Sequence, residues 1–316
     1  MVTQKKKISI LVPCYNEQDV FGIMIDRLNK LAESDEMKNY KMEFLLINDG
    51  SRDKTLTLMQ EEAEKNSRVS YIDLARNYGK EIAMMAGIDN VKADAMVIID
   101  ADLQDPPELI PQMIKLWEEG YDDVYARRVS RKGETWLKKW TSKKYYQVLQ
   151  KSTNVPIQKD TGDFRLLDKK CIEALQQLRE QNRNMKALFS WIGFKKKEIE
   201  YERDARAAGS TKWKYSKLVG LALDGITSFT TAPLRFATWF GAILSFFAFV
   251  FAIIFAVRTL IYGNPVAGWT STFVAITVIG GIQLLTIGIL GEYIGRIFVE
   301  SKRRPLYYIE QTHYCK

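Results

Sequence analysis

Two stretches without a charged side chain, residues 236–257 and 269–291, constrain this chain more than any other feature in it. The first alone, as a helix rising 1.5 Å per residue, is about 33 Å long, enough to cross the hydrocarbon core of a bilayer. The alternative is a pair of buried helices in a soluble domain, where uncharged runs of this length are rare. Two spans return the chain to the side it started from. Arg203, Arg206, Lys212, Lys214 and Lys217 precede the first run, and Arg296, Lys302, Arg303 and Arg304 follow the second. Only Arg258 stands in the turn between them, so the basic flanks place both ends on the cytoplasmic side of a multi-pass cell-membrane protein. Residues 218–230 are apolar around a single Asp224 and suit an interfacial helix. Gly280, Gly281, Gly288, Gly291 and Gly295 give the second run a small-residue face for packing on the first run or on a neighbouring subunit.

The rest of the chain excludes much chemistry. The only histidine is His313, so Ser-His-Asp triads, Cys-His pairs and HExxH zinc sites are ruled out. Cys14, Cys171 and Cys315 lie far apart in no metal pattern, which suits a reducing cytoplasm. About five apolar residues follow the opening lysines, too few for the core of a secretory signal. The net charge of +8 comes from 46 basic and 38 acidic side chains. Such a mixture, with no zinc-finger or RNP-like pattern, does not describe a nucleic-acid binder. Any catalysis falls to carboxylates, cations and a metal.

Strand and helix signals alternate from residue 8 onward. Apolar runs at 8–12, 44–47, 69–74 and 96–99 predict strands. Helices follow at 20–31, 54–65, 81–91 and 108–117, the first with Ile23, Leu28 and Leu31 inward and the second capped by Ser51 or Asp53. Further on, 122–126 reads as a strand, leaving Arg127, Arg128, Arg131 and Lys132 in a basic loop. Residues 136–151 are basic and aromatic, and 161–167 read as a loop entering a strand. Helices at 169–178 and 185–192 precede a strand at 195–201, and 203–217 form a basic loop. This alternation predicts an α/β domain with a mostly parallel sheet flanked by helices.

The fourth strand runs into A-M-V-I-I-D-A-D-L-Q-D-P-P. Parallel sheets keep ligands at the carboxyl ends of their strands, which puts Asp100 and Asp102 at a site mouth. Two carboxylates with one spacer are oxygen ligands for a hard cation such as Mg²⁺ or Mn²⁺, which in turn holds phosphates. By itself this spacing is equally compatible with a wet loop.

Five motifs stand in order: V-P-C-Y-N-E from Val12, I-N-D-G-S-R-D from Ile47, A-R-N-Y-G-K from Ala75, D-A-D-L-Q-D-P-P-E from Asp100 and T-G-D-F-R-L-L from Thr161. With the apolar tail they resemble the inverting family 2 glycosyltransferases, and among these the bacterial polyisoprenyl-phosphate enzymes, similar in plan to dolichol-phosphate mannose synthases. The resemblance covers nearly the whole chain. It implies a nucleotide-diphospho-sugar transferase (GT-A type) domain at 1–210, a juxtamembrane amphipathic segment at 211–235, two transmembrane helices within 236–295 and a cytoplasmic tail at 296–316. It implies a UDP-sugar donor, glucose or an N-acetylhexosamine, and undecaprenyl phosphate as acceptor among the membrane lipids. Mg²⁺ or Mn²⁺ is the implied cofactor. A homo-oligomer, with a tetramer among the options, is the implied assembly.

Carried over by motif, Pro13, Tyr15 and Glu17 line the nucleotide pocket, and Asp49 binds the base or ribose with Ser51 nearby. Asp100 and Asp102 hold the metal on the diphosphate, Gln104 lies close to the sugar, and Asp163 acts either as base or as orienter of the acceptor. Arg127, Arg128, Arg206 and Lys212 are the expected phosphate contacts. The acceptor phosphate monoester, with a second pKa near 6, is largely a dianion at neutral pH, so a strong base is not required. A processive polysaccharide synthase would carry Q-x-x-R-W and more spans. A catalytically silent membrane-anchored nucleotide-sugar-binding scaffold would have no need of intact Asp100, Asp102 and Asp163. Two spans make a poor flippase.

Overall fold

The computed structural model describes residues 5–129, 161–181, 183–202, 232–262 and 268–315. Expectations for the basic, aromatic stretch 136–151, the loop with Arg206 and Lys212, and the interfacial segment 218–230 lie outside these residues. The chain divides into two units, one holding the α/β sheet together with the chain from Arg304 onward, the other holding two long helices.

In the first unit, β1 (Lys6–Cys14), α1 (Gln18–Glu33), β2 (Tyr40–Asn48), α2 (Thr55–Lys65), β3 (Val69–Leu74), α3 (Lys80–Asn90) and β4 (Ala95–Ile98) follow in sequence. Then come α4 (Ile110–Glu118), β5 (Asp123–Arg128), β6 (Thr161–Asp168), α5 (Lys169–Gln176), α6 (Met185–Trp191), β7 (Lys196–Tyr201) and, after the second unit, β8 (Ile309–His313). Among the described residues the strands form one sheet in the order β7-β5-β6-β4-β1-β2-β3-β8. The pairs β1–β2, β1–β4, β2–β3 and β5–β7 are parallel, while β6 runs antiparallel to β4 and β5, and β8 antiparallel to β3. This is the mostly parallel sheet flanked by helices that the alternation predicts.

The central strands are buried on both faces, which is why they read as continuous apolar runs. Ile8, Ile10 and Val12 of β1 join Phe44 and Leu46 of β2 in one core, covered by Phe21, Met24, Ile25 and Leu28 of α1, Met59 of α2 and Met113 and Ile114 of α4. Each fully buried side chain of this size contributes about 1.5–3 kcal/mol. On the opposite face α3 lies close against Leu11. A Cβ on Gly87 would stand 2.1 Å from Leu11 Cδ1, so only glycine permits this approach.

Several local expectations need correction. Ile23 is 53% exposed, and the buried face of α1 is carried by Val20, Phe21, Met24, Ile25, Leu28 and Leu31. At the start of α2, Asp53 Oδ1 accepts from Thr55 N at 3.0 Å, whereas Ser51 Oγ accepts from Asn16 N at 3.0 Å. Residues 161–168 are strand throughout rather than loop entering strand, because β4 and β5 both pair with them. Arg127 and Arg128 end β5 instead of beginning a loop, since β7 pairs with them opposite Glu200 and Tyr201. No strand was expected in the tail, where β8 completes one edge of the sheet.

The second unit holds α7 (Ala232–Tyr262, 31 residues) and α8 (Trp269–Ser301, 33 residues), which contain the two uncharged runs. Among the described residues one segment, Val278–Ser301, is long and apolar enough to cross a membrane, and its apolar stretch is not buried. Past Gly291, α8 continues through Glu292 and Arg296, which pair one turn apart at 2.8 Å.

Candidate active site

The site forms at the carboxyl ends of β1, β2 and β4, where neighbouring loops are joined by hydrogen bonds. After β1, Asn16 takes a positive φ of 55°. Its side chain accepts from Arg52 N at 2.8 Å, and Glu17 N donates to Thr55 Oγ1 at 2.9 Å. The loops carrying Pro13, Tyr15, Glu17 and Ser51 are thereby held side by side, with Tyr15 exposed. Cys14 is buried between them. Burial first, then the Glu17 and Asp53 carboxylates, push its thiol far above the usual range, so it is a wall residue and not a nucleophile.

Asp49 is 3% exposed and its carboxylate is turned to the third motif. It accepts from Tyr78 N at 2.7 Å, Gly79 N at 2.9 Å and Asn77 Nδ2 at 3.0 Å. Burial raises its pKa more than these hydrogen bonds and Arg76 lower it. Gly50 and Gly79 both adopt positive φ, and a Cβ on Gly50 would stand 2.5 Å from Arg76 C and Asn77 N. The loop 76–79 is therefore folded against the end of β2 and delivers Lys80 as the first residue of α3.

Lys80 is the residue that sequence reasoning missed. Its ammonium lies 2.6 Å from Asp100 Oδ1 and 2.5 Å from Asp163 Oδ2, joining carboxylates from β6 and from the loop after β4. Burial opposes the charge on Lys80, but the two carboxylates outweigh it and raise the ammonium pKa. For Asp163, burial pushes upward. Lys80, Lys186 and Arg165 more than offset this and hold the carboxyl below its ordinary value. Asp163 is thus ionised at neutral pH and is a weak base. Glu81, the next residue of α3, accepts from Met185 N at 2.6 Å. Burial, and then the Asp163 charge, raise its pKa to about 7. The available signal for both residues was their place in or beside A-R-N-Y-G-K, directly after a glycine.

Beyond β4 the chain turns at Leu103, with φ of 56°, and Asp102 Oδ1 accepts from Gln104 N at 3.2 Å. Asp105 is buried, accepts from the Tyr201 hydroxyl and lies 3.9 Å from Arg128. Arg128 also donates to the Tyr201 oxygen at 3.2 Å, and it lies over Gly162, where a Cβ would come within 3.0 Å of its Nη2. The Asp105 charge, and then that of Asp100, acts on Arg128. Arg127 turns the other way and pairs with Glu198 at 3.4 Å and with Glu200 on β7, so the two arginines do not form one phosphate patch. Arg165 is fully buried, 3.1 Å from Asp123 Oδ2 and against the Phe189 ring, and serves the core.

A divalent cation fits the donor set at Asp100 and Asp102. Asp100 Oδ1 is buried and, among the described residues, meets the Lys80 ammonium. Among the described residues no group of three or more His, Cys, Asp or Glu side chains converges. Two carboxylates with positions left over match a hard cation that keeps waters and donor phosphates as its other ligands.

The family model described as Glycosyl transferase family 2 matches residues 9–176, which contain the carboxyl ends of β1, β2 and β4. An uncharacterised glycosyltransferase of Synechocystis is 44% identical over 303 residues, covering 96% of this chain and 94% of that protein. The prophage bactoprenol glucosyl transferase homolog of Escherichia coli is 41% identical over 306 residues, covering 97% and 99%. The bactoprenol glucosyl transferase of Shigella phage SfII is 41% identical over 307 residues, covering 97% and 98%. A family match over more than half of the chain, relatives aligned almost end to end, and carboxylates gathered at the strand ends lead to one conclusion: the chain belongs to glycosyl transferase family 2.

Proposed function

We propose that this protein transfers a sugar, with glucose the first choice and an N-acetylhexosamine the second, from a UDP-sugar to undecaprenyl phosphate at the cytoplasmic face of the membrane, with inversion. The observation that carries this reading is the convergence of Asp100, Asp163 and Lys80 at the strand ends, in a chain aligned end to end with bactoprenol glucosyl transferases. Pro13, Tyr15, Glu17, Asp49 and Ser51 border the nucleotide side. Asp49 acts there by shaping the 76–79 loop as well as by any contact with the base or ribose. Asp100 and Asp102 would hold Mg²⁺ or Mn²⁺, which when bound offsets negative charge on the departing diphosphate. Gln104 stands beside them, near the sugar.

The chemistry suits the charges on the page. The acceptor is already a dianion at neutral pH, so the step needs cations to hold it and a negative group to offset developing positive charge on the sugar more than it needs a base. A carboxyl held below its ordinary pKa can offset the positive charge developing on the sugar, which favours that role over the base role for Asp163. Lys80 offsets the charge of Asp100 and Asp163, and were Asp100 to hold a cation the Lys80 ammonium would be available to phosphate oxygens. Arg128 is kept as a phosphate candidate because it stays on the site side of β5 near Asp105, and Arg206 and Lys212 remain candidates from the sequence.

Two transmembrane helices, α7 and α8, are the anchoring arrangement. It is supported by their lengths and by Phe246, Phe247, Phe251, Ile254, Leu284 and Ile287, all exposed. The glycines of α8 remain the motif for a homo-oligomer.

The test is the purified full chain with undecaprenyl phosphate, Mg²⁺ or Mn²⁺ and a panel of radiolabelled UDP-sugars. Lipid-linked product from one donor is expected, with β linkage from an α-linked donor and a loss of at least about 100-fold in Asp102→Ala. No product from any donor, or full activity in Asp102→Ala, would overturn the reading.

A further inference from the structure

The chain after α8 returns to the sheet and takes hold of both ends of α3, the helix that begins with Lys80. At the start of that helix, Tyr308 O accepts from Ala75 N at 3.0 Å, and Tyr308 N donates to the Tyr78 hydroxyl at 3.3 Å. At the far end, the Tyr307 hydroxyl donates to Asp89 Oδ2 at 2.9 Å and accepts from Asn90 Nδ2 at 3.2 Å. Tyr314 adds a donor to Asn90 Oδ1 at 3.3 Å. Between these points β8 pairs with β3, His313 stacked on Tyr71 with ring centroids 5.8 Å apart.

The tail adds little to the core. Four of the five residues of β8 are exposed, while β3 is buried along its whole length. Its attachment rests on hydrogen bonds: Cys315 meets Ser70 and Glu43 at the sheet, Arg304 O accepts from Gln181, and those made by Tyr307, Tyr308 and Tyr314 go to α3 and to the loop before it. Asp49 holds the same loop from the inside, through Tyr78 N and Gly79 N. Lys80 thus stands on a helix fixed by Asp49 on one side and by the tail on the other.

We propose that Tyr307 and Tyr308 are positioning residues, through which the C-terminal tail sets the placement of α3 and so of the Lys80 ammonium between Asp100 and Asp163. The assignment rests on the sugar-transfer reading above for its catalytic consequence, and on geometry alone for its structural one.

The experiment uses the full chain in detergent, with Tyr307→Phe, which removes the bridging hydroxyl, and Tyr78→Phe, which removes the acceptor for Tyr308 N. Hydrogen exchange is read at the amides of residues 78–83. Exchange there is expected to be about tenfold faster in each variant, with β1 and β2 unchanged, the size of one lost hydrogen bond. In the transfer assay kcat is expected to fall about fivefold, with the donor KM within about twofold. In a Lys80→Met background, Tyr307→Phe is expected to change the residual rate less than about twofold, since residues acting as one unit are not additive. Unchanged exchange at 78–83, or losses that multiply in the double variant, would overturn the proposal. If Lys80→Met leaves no measurable rate, or no donor is turned over at all, the exchange result decides. Should Tyr307→Phe not fold, Tyr78→Phe carries the same test at the other end of α3.

Discussion

Replacing Glu81 by Gln tests whether the first turn of α3 holds a proton at physiological pH. The native carboxyl titrates at about 7, against 4.5 for an unperturbed one, through burial first and the Asp163 charge second. Met185 N–H, Lys80 and Lys186 act in the opposite direction and lose. The folded chain therefore keeps a proton that the unfolded chain releases. As pH rises from about 4.5 to about 7, native stability is lost progressively, and above that window the loss is complete. The distance between the two values, at about 1.4 kcal/mol per pH unit, comes to about 3 kcal/mol. Glu81 keeps some solvent contact, which lowers the expectation to about 1.5–3 kcal/mol. Gln can accept the Met185 N–H as Glu does but does not titrate, so the variant lacks this loss. Melting followed by tryptophan fluorescence from pH 5 to 8.5 should show Glu81→Gln gaining on the parent with rising pH, by about 3–10 °C across the range. Titrating groups not coupled to Glu81 cancel in the difference, which leaves Asp163, Lys80 and Lys186 as its neighbours. Parallel profiles would mean that Glu81 is ionised in the native protein, and a gain that shrinks as pH rises would reverse the assigned sign.

Three further outcomes are expected. Asp123→Ala should destabilise the fold by about 3–5 kcal/mol, because it removes a carboxylate paired with the fully buried Arg165; denaturant titration measures this. Gly87→Ala should cost about 1–3 kcal/mol in the same titration, since its Cβ would meet the buried Leu11 side chain at 2.1 Å and either that side chain or α3 would have to shift. Lys80→Met should raise the pKa of Asp163 toward its ordinary value or above, as the opposing cation is lost. Transfer activity against pH should then show an acid limb moved to higher pH, together with a drop in rate of about 10- to 100-fold.

The strands β1 to β4 were legible because burial on both faces leaves unbroken apolar runs, and Asp100 and Asp102 were legible because such strands end at ligand sites. Asp163 was legible as a residue but not as part of a strand. T-G-D-F-R-L-L carries a glycine and two charges, and only the pairing of Arg165 with Asp123 makes that composition compatible with a central strand. Lys80 stood in a quoted motif, yet its partner Asp163 lies 83 positions away, and sequence spacing has no means of joining them. Arg127 and Arg128 looked alike as neighbours. Alternation along a strand sends one to the glutamates of β7 and the other to Asp105. The tail strand I-E-Q-T-H has no apolar period because neither face is buried, and backbone pairing with β3 leaves no trace in side-chain chemistry.

β8 also has a bearing on how the protein keeps to itself. Without it, β3 would present an open row of amides and carbonyls on a strand whose six residues are all apolar or buried, the kind of edge that recruits strands from other molecules. The residues that close this edge include Glu310, Gln311, Thr312 and His313, and the opposite edge, β7, carries Lys196, Lys197, Glu198 and Glu200. Both borders of the sheet are therefore polar or charged and poor templates for edge-to-edge growth. A chain cut after Arg304 would lose that protection at one border, and its neighbours in a crowded membrane would meet a bare strand instead of a finished one.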